Sequence, residues 1–540
     1  MSLINVNHLT FAYEGSYDTI FENVSFQMDT DWKLGFTGRN GRGKTTFLNL
    51  LLGKYPYEGQ ISTKVNFDYF PFSVPAGSAD VMTLDIIDGI LPDYEYWKLS
   101  RELNYLETSD EILYRSYATL SGGEKAKVQL AALFLKEDSF LLIDEPTNHL
   151  DMHGREVLAR YLQKKRGFIL VSHDRLFLDA CVDHILSINK SNIEIQKGNF
   201  SSWLHNKELQ DNFELAENQK LNRQIKSMEA AARRTAAWSD TIEKRKTGGT
   251  GGQAGVKPDK GHIGAQAAKM MKRSKAAAAR KESAITSKSS LLKNIERADD
   301  LKIHPLSYHA DVLVTLDHVS GFYRTVRSES GDGETTGNAA AFPENTAAFP
   351  VFNKKSFTVK RGDRIALQGP NGCGKSSILK LILQAAGKSC TGFNDAAAAS
   401  GAVHTGLPEF TGNLRVGSGL KISYVPQSTE GLSGTLNNYA AGRGIDITLL
   451  KTILRKLDFS RLQFEKNIED YSEGQKKKVL LAASLCESAH LYIWDEPLNY
   501  IDVLSRMQIE NLLLQFQPTM VFVEHDKAFC DNAATEIVQL

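Results

Sequence analysis

Two strings in the chain carry glycines, a lysine and a hydroxyl at the spacing that a phosphate group needs. They are Gly38-Arg39-Asn40-Gly41-Arg42-Gly43-Lys44-Thr45 and Gly369-Pro370-Asn371-Gly372-Cys373-Gly374-Lys375-Ser376, and both fit G-x-x-x-x-G-K-[ST]. Glycines let successive backbone N–H groups converge on phosphate oxygens. The N-terminus of a following helix adds partial positive charge, and Lys44 or Lys375 supplies a full one. Thr45 and Ser376 then offer a hydroxyl to Mg²⁺. Downstream of each string stand paired carboxylates, Asp144-Glu145 and Asp495-Glu496, which lie 100 and 120 residues after the respective lysines. In each pair the aspartate suits Mg²⁺ and the glutamate suits polarising an attacking water.

These groups need rigid elements to hold them. Strand-like apolar runs at 32–36 and 364–367 precede the glycine-rich strings, and helix-like runs at 47–52 and 378–383 follow, the context in which such a loop cradles phosphate. The carboxylate pairs end buried-strand runs, Phe140-Leu141-Leu142-Ile143 and Leu491-Tyr492-Ile493-Trp494. The whole set occurs twice, so the chain is an internal repeat. Its 540 residues are 42% hydrophobic and 24% charged, which excludes global disorder and predicts two large α/β domains. No run of 18 apolar residues occurs, and the opening residues lack a secretory signal. Five scattered cysteines without a C-x-x-C pair fit a reducing compartment, so the expected location is cytoplasmic.

The formal net charge is zero, but it is segregated. Residues 221–281 hold 15 Lys or Arg against 4 Asp or Glu. Around them the composition predicts a helical hairpin. Residues 204–246 have no proline or glycine and carry Leu204, Leu209, Phe213, Leu221, Ile225, Met228 and Ala232 at mostly helical spacing. A second run covers 265–298, and the glycine-rich stretch 247–264 between them reads as a tip. The arms would be roughly 60 and 50 Å long. Positive charge on a narrow arm suits a polyphosphate backbone. The candidates for contacting RNA are Arg233, Arg234, Trp238, Lys244, Arg245, Lys246, Lys257, Lys260, His262, Lys269, Lys272, Arg273 and Lys275, with Trp238, His262 and Met270 able to stack on bases or wedge between them. The predicted boundaries are 1–200 for a first nucleotide-binding domain, 201–305 for the linker and 306–540 for a second domain. That second domain contains Ser-, Gly- and Ala-rich segments at 325–350 and 386–419, expected to be surface insertions.

Just before each carboxylate pair stand Leu120-Ser121-Gly122-Gly123-Glu124 and Tyr471-Ser472-Glu473-Gly474-Gln475, and after them Asn148-His149-Leu150-Asp151 and Asn499-Tyr500-Ile501-Asp502. This order resembles the ATP-binding cassette (ABC) proteins, with their signature loop, Walker B strand and D-loop. The resemblance implies ATP and Mg²⁺ as cofactors and an ATPase of two ABC-type P-loop domains. ATP contacts would come from Gly38, Asn40, Gly41, Gly43, Lys44, Thr45 and Thr46, and from Gly369, Asn371, Gly372, Gly374, Lys375, Ser376 and Ser377. The signatures would add Ser121, Gly122, Gly123, Ser472, Gly474 and Gln475, and Tyr13 and Tyr323 would stack on adenine. It makes Glu145 and Glu496 catalytic, with His173 and His525 as switch histidines, and gives the metal Thr45, Ser376, Asp144, Asp495 and Gln427.

Cassettes of this family join head to tail, so each nucleotide would lie between one half's P-loop and the other half's signature. The expected sites are unequal. Gln427 in Tyr424-Val425-Pro426-Gln427 matches the family's Q-loop, whereas Tyr69-Phe70-Pro71-Phe72 has phenylalanine, and Glu473 stands where the signature usually has glycine. Both departures fall on the site built from Lys44, Glu145 and Ser472. An inward-pointing Glu473 would repel phosphate.

Two cassettes separated by a long basic hairpin resemble the ABC-F proteins, and the stretch from Gly264 to Lys275, the first P-loop string and Trp494-Asp495-Glu496-Pro497-Leu498-Asn499-Tyr500 look like the Lsa and Vga type resistance factors. This implies a monomer that binds the bacterial ribosome on its 50S subunit, enters the E site and touches 23S rRNA and P-site tRNA. Protection against lincosamides, pleuromutilins and streptogramin A would follow. The alternatives are an ABC-F translation factor without drug protection and the ATPase subunit of an exporter.

Overall fold

The computed structural model describes residues 2–14, 19–74, 81–91, 93–136, 138–189, 192–247, 301–325, 347–387 and 408–540, with backbone alone for 189, 228–229, 231–247, 324–325, 347–348 and 462. The chain packs as two units, one formed by Met1–Ser201 with Ala298–Leu540 and the other by Ser202–Arg297.

Each half of the first unit has the same two-sheet plan. In the first half, an antiparallel sheet of order β2-β1-β4 (β1 Leu3–Ala12, β2 Thr19–Asp29, β4 Glu58–Ser62) accompanies a six-stranded sheet of order β5-β6-β7-β3-β8-β9. The latter comprises β3 Lys33–Thr37, β5 Asn66–Phe70, β6 Ser139–Asp144, β7 Phe168–Val171, β8 His184–Asn189 and β9 Asn192–Lys197. All its pairs are parallel except β8 with β9. Strands covered on both faces read as continuous apolar runs, and Phe140, Leu141, Leu142 and Ile143 of β6 are all buried. In the second half the antiparallel sheet has order β11-β10-β13 (β10 Val312–Thr325, β11 Ala347–Lys360, β13 Glu409–Val416). The parallel sheet has order β14-β15-β16-β12-β17 (β12 Arg364–Gln368, β14 Ile422–Val425, β15 Leu491–Asp495, β16 Met520–Val523, β17 Glu536–Gln539).

In both halves the strand leading to the P-loop (β3 or β12) and the one ending in the carboxylate pair (β6 or β15) flank a third, β7 or β16. Ligands of open α/β sheets bind at the carboxyl ends of such strands. The helices of the first half are α1 Lys44–Leu51, α2 Thr83–Ile90, α3 Tyr96–Tyr105, α4 Gly122–Leu133, α5 Met152–Gln163 and α6 Arg175–Cys181; α7 is Phe200–Thr247. Those of the second half are α8 Lys375–Ala385, α9 Leu436–Arg443, α10 Ile447–Lys456, α11 Glu473–Cys486, α12 Val503–Phe516 and α13 Lys527–Ala533.

Helix α7 is 48 residues long and covers the first predicted arm. The tip beyond it (248–264) and the second arm (265–298) lie outside the described residues. One expectation needs correction. The segment 386–419 is not insertion throughout, because Glu409–Val416 forms β13 and pairs with β10 from Val314↔Val416 to Phe322↔Glu409. Its outward polar residues and flanking glycines hid an edge strand. Strand β11 likewise begins at Ala347, inside the segment 325–350. No described helix is long and apolar enough to cross a membrane.

Candidate functional site

The P-loops fold as their glycines require. Gly43 and Gly374, the N-caps of α1 and α8, sit at φ 93 and φ 94, where L side chains are strained. A Cβ at Gly43 would also lie 2.6 Å from Ile20 Cγ2, and one at Gly374 2.7 Å from Val351 Cγ1. At Gly41 and Gly372, by contrast, a Cβ would meet nothing within 4 Å, so the loop faces open space of the kind a phosphate fills. Lys44 Nζ donates to the carbonyls of Gly38 at 2.7 Å and Arg39 at 3.3 Å, and Lys375 Nζ to Gly369 and Pro370, both at 2.9 Å. Each ammonium is thereby folded over its own loop. Burial pushes the Lys44 ammonium below its ordinary range against the pull of Asp502, Glu145 and Asp144.

Hydroxyl and carboxylate converge as a hard cation demands. Thr45 Oγ1 donates to Asp144 Oδ2 at 3.1 Å and Ser376 Oγ to Asp495 Oδ1 at 3.1 Å. These donors fit Mg²⁺, which takes few protein oxygens and shares the rest of its shell with water and phosphate. No cluster of three or more His, Cys, Asp or Glu suited to holding a metal alone occurs among the described residues. Next to the P-loop hydroxyls, Tyr13 bonds Thr46 at 2.8 Å and Tyr323 bonds Ser377 at 3.0 Å, so both tyrosines reach the neighbourhood proposed for nucleotide.

The halves face each other head to tail. Asn40 Nδ2 of the first P-loop donates to the carbonyl of Tyr500 at 2.7 Å, and Asn371 Nδ2 of the second to that of His149 at 3.4 Å. Gly474 comes within reach of the first P-loop, since its Cβ would lie 2.7 Å from Tyr500 O and 3.5 Å from Asn40 Nδ2. A cleft of about 940 Å³ holds the other arrangement, gathering Ser121, Gly122, Gly123, Tyr323, Asn371, Lys375, Ser376, Gln427, Glu496 and His525. The first site is therefore Lys44 with Ser472, and the second Lys375 with Ser121. Both signature serines cap helices. Ser121 accepts from Glu124 N at 3.2 Å and Ser472 from Gln475 N at 3.4 Å, and each residue three positions on closes a capping box. Gln475 thus serves the cap, its Oε1 accepting from Ser472 N at 3.0 Å.

Glu473 does not point at the first site. Its carboxylate accepts from the Thr429 hydroxyl and pairs with Lys476 at 3.3 Å. Neighbours in its own half thus relieve the repulsion that an inward-pointing carboxylate would create.

The catalytic candidates share geometry but not electrostatics. Glu145 and Glu496 follow their strands in the left-handed region, at φ 50 and φ 46, a strained conformation typical of functional positions. His173 Nε2 lies 3.3 Å from Glu145 Oε1, and His525 Nε2 3.3 Å from Glu496 Oε1. Burial, reinforced by Asp144, pushes the Glu145 carboxyl up to about 8, and its Oε1 accepts no hydrogen bond from a described residue. Burial would raise Glu496 as well, but His525, Gln427 and Lys477 hold it below the usual range. Asn499 Nδ2 also donates to Glu496 Oε2 at 2.7 Å.

Sequence reasoning missed several residues that shape these sites. Tyr69 donates to Asp144 Oδ2 at 2.9 Å. Arg39 and Arg42 of the first P-loop reach Asp458 of the other half at 3.5 and 3.9 Å. Glu524, pushed up to about 7 by burial, accepts from Leu498 N at 2.7 Å and fixes the loop after Glu496. Local strings carry no sign of the last two. Tyr69 does have one, since it stands in the very string that has lost its glutamine. The RNA candidates Arg233, Arg234, Trp238, Lys244, Arg245 and Lys246 fall on the backbone of α7 with their side chains outside the described residues. Lys257, Lys260, His262, Lys269, Lys272, Arg273 and Lys275 lie outside them entirely.

Two P-loop halves that complete each other's sites define a tandem-cassette ATPase using ATP and Mg²⁺. A family model described as ABC transporter matches residues 21–148 and 352–499, and the chain belongs to that ABC family, in its ABC-F branch. It is 27% identical over 531 residues to the ribosome protection protein VmlR of Bacillus subtilis (strain 168), covering 96% of this chain and 84% of that protein. It is 25% identical over 571 residues to the energy-dependent translational throttle protein EttA of Escherichia coli (strain K12), covering 96% and 89%. In fold it is similar to the archaeal ribosome recycling factor aABCE1, solved in complex with the ribosomal stalk protein aP1, with a TM-score of 0.56, 17% identity and coverage of 98% of this chain and 87% of that one.

Proposed function

We propose that this ATPase is a cytoplasmic, ribosome-associated factor that acts on translation, with ATP-driven closure of the cassettes as its switch. The observation that carries the reading is the pairing of two head-to-tail sites with a 48-residue helix inserted between the halves. Such a helix is about 70 Å long, and the basic surplus of residues 221–281 falls on it and on the segment that follows. Relatives named for ribosome protection and for throttling translation match almost the whole chain, linker included. On this reading 1–200 and 306–540 are the two nucleotide-binding domains and 201–305 the arm. The arm enters the E site of the 50S subunit, meets 23S rRNA and P-site tRNA through its basic residues, and protects against lincosamides, pleuromutilins and streptogramin A. The factor works as a monomer.

The residues divide the work. Backbone N–H groups of both P-loops, with Lys44 and Lys375, bind the phosphates, while Ser121, Gly122, Gly123, Ser472 and Gly474 close over them from the opposite half. Tyr13 and Tyr323 flank the base. Thr45 with Asp144, and Ser376 with Asp495 and Gln427, hold Mg²⁺, which when bound neutralises charge on the phosphates. Glu496, kept ionised, accepts a hydrogen bond from the attacking water, and His525 holds that carboxylate in place. Glu145 and His173 occupy the same places in the first site. There the loop carries Phe72 in place of glutamine and Tyr69 occupies Asp144, so the first site binds and closes while the second turns over.

Closed cassettes are the form that docks, because ribosome binding and ATP favour the same state by linkage. The test is sedimentation of the Glu145→Gln, Glu496→Gln double variant through sucrose with ATP and bacterial ribosomes. Comigration is expected, and failure to comigrate rejects the reading. Drug susceptibility of a sensitive host decides between protection and plain translational control. Deleting residues 247–261 should abolish protection while basal ATPase persists.

A further inference from the structure

Helix α11 serves both sites at once. Its first turn belongs to the first site: Ser472 caps it, and Gly474 approaches Asn40 of the first P-loop. One turn on, Lys477 is 1% exposed, and its ammonium lies among the backbone groups of the second site. It donates to the carbonyl of Pro426 at 2.9 Å and to that of Glu496 at 3.1 Å. A buried ammonium is costly unless it is paired and hydrogen-bonded. Here Asp495, Glu496, Glu524 and Glu473 surround it. Packing alone asks for nothing of the kind. At the matching place in α4 stands Ala126, and the corresponding loop is tethered by a neutral contact, Gln129 Nε2 to Phe72 O at 3.3 Å.

We propose that Lys477 is a positioning residue that holds Gln427 and Glu496 in place for hydrolysis at the second site and ties them to closure of the first. The carbonyl of Pro426 belongs to the peptide that sets the direction of Gln427, so fixing it fixes where that amide points. The carbonyl of Glu496 belongs to a residue at φ 46, a conformation that persists only when its surroundings hold it. One ammonium grips both peptides, and a single rigid helix links that grip to the signature facing the first P-loop. Coupling between the sites then needs no chain of side chains, only motion of α11 as a body. The assignment rests on the roles given above to Glu496 and Gln427.

The experiment uses the full chain carrying E145Q, so that turnover reports the second site. K477M should lower kcat for ATP by about tenfold or more, as misplaced catalytic groups do, with KM changed less than about threefold. K477R, which keeps the charge and the donors, should recover most of kcat. In a double-mutant cycle, S472A should depress second-site turnover when Lys477 is present and lose most of that effect in K477M. Any of three results overturns the proposal: an unchanged kcat in K477M, strictly additive effects in the cycle, or a K477R chain as poorly folded as K477M, which would make the lysine a packing residue. Adding E496Q separates the two levels. If turnover survives it, the role of Glu496 fails; if it abolishes turnover while K477M does not matter, only the present proposal fails.

Discussion

The two nucleotide sites share a fold and differ in what surrounds it. At the first site the P-loop carries Arg39 and Arg42, which reach across to Asp458, and Asn40 holds the opposite D-loop at 2.7 Å. At the second, the same P-loop positions are Pro370 and Cys373. The counterpart of Asp458 there is Glu107, which turns to His153 at 2.9 Å and Arg160 at 2.8 Å within its own half. The D-loop contact is also longer, 3.4 Å. The catalytic groups show the reverse bias. Glu496 has Gln427, Asn499 and Lys477 about it, whereas the Glu145 carboxyl is pushed up to about 8 and faces a loop with phenylalanine for glutamine. Contacts across the interface occur at both sites, since Arg155 also donates to the carbonyl of His525 at 3.2 Å and Lys527 pairs with Glu156 at 3.5 Å. What differs is the arginine-bearing P-loop on one side and the better-supported catalytic carboxylate on the other, which is the basis of the proposed split between holding shut and turning over.

The widest separation between them should come from the catalytic carboxylates. E496Q is expected to lower total ATPase by about 100-fold or more, the usual contribution of a general base, while E145Q changes it by less than about twofold. Steady-state ATPase of each single variant checks this, and equal losses would break the comparison. Gln427→Phe, which copies Phe72 into the second site, should follow with a loss of about tenfold, read as kcat at saturating ATP. The converse change Phe72→Gln in an E496Q chain should bring back a measurable fraction of turnover if Gln at that position is what the first site lacks, and none if Tyr69 at Asp144 dictates its inactivity.

Much of this was legible in the sequence because the chemistry of the sites is local. A P-loop needs its glycines, lysine and hydroxyl within eight residues, and a Walker B strand needs an apolar run ending in carboxylates, so both repeats and the sheet strands at 32–36 and 364–367 could be placed from spacing. What could not be placed depends on partners distant in the chain or on the depth of a face. Arg39 meets Asp458 more than four hundred positions away. Lys476-Lys477-Lys478 looks like a solvated run, yet each residue of a helix is turned about 100° from the last. Lys476 pairs with Glu473 at the surface, while Lys477 and Lys478 are buried, the latter against Asp502 at 3.1 Å. Strand β13 was hidden for a third reason. An edge strand with one polar face, flanked by glycine and serine, has the composition of a loop.

Among the smaller effects, Asp458→Asn should speed release of nucleotide from the first site by about two- to fivefold, the range for partly exposed ion pairs. The gain should shrink at high salt, since the screening length falls to about 3 Å at 1 M. Fluorescent ATP dissociation in an E145Q, E496Q chain measures it. A release rate that ignores both the substitution and the salt would mean that the arginines do not hold the cassettes together.

The smallest difference lies in stability against pH, and its sign is opposite at the two sites. The Glu145 carboxyl is raised in the folded chain to about 8. Its contribution is therefore fully present below the unfolded value and is lost as pH rises through 8, where folding must tolerate a second buried negative charge beside Asp144. Glu496 is lowered, so its contribution is present above the unfolded value and is lost as pH falls through the folded one. Thermal melts of the nucleotide-free chain at pH 6 and pH 9 should show E145Q gaining on the parent at pH 9 and matching it more closely at pH 6. E496Q should melt below the parent at both. A shift in the same direction for both variants at pH 9 would mean that the two carboxylates sit in equivalent surroundings, and the division between a site that holds and a site that turns over would lose its electrostatic basis.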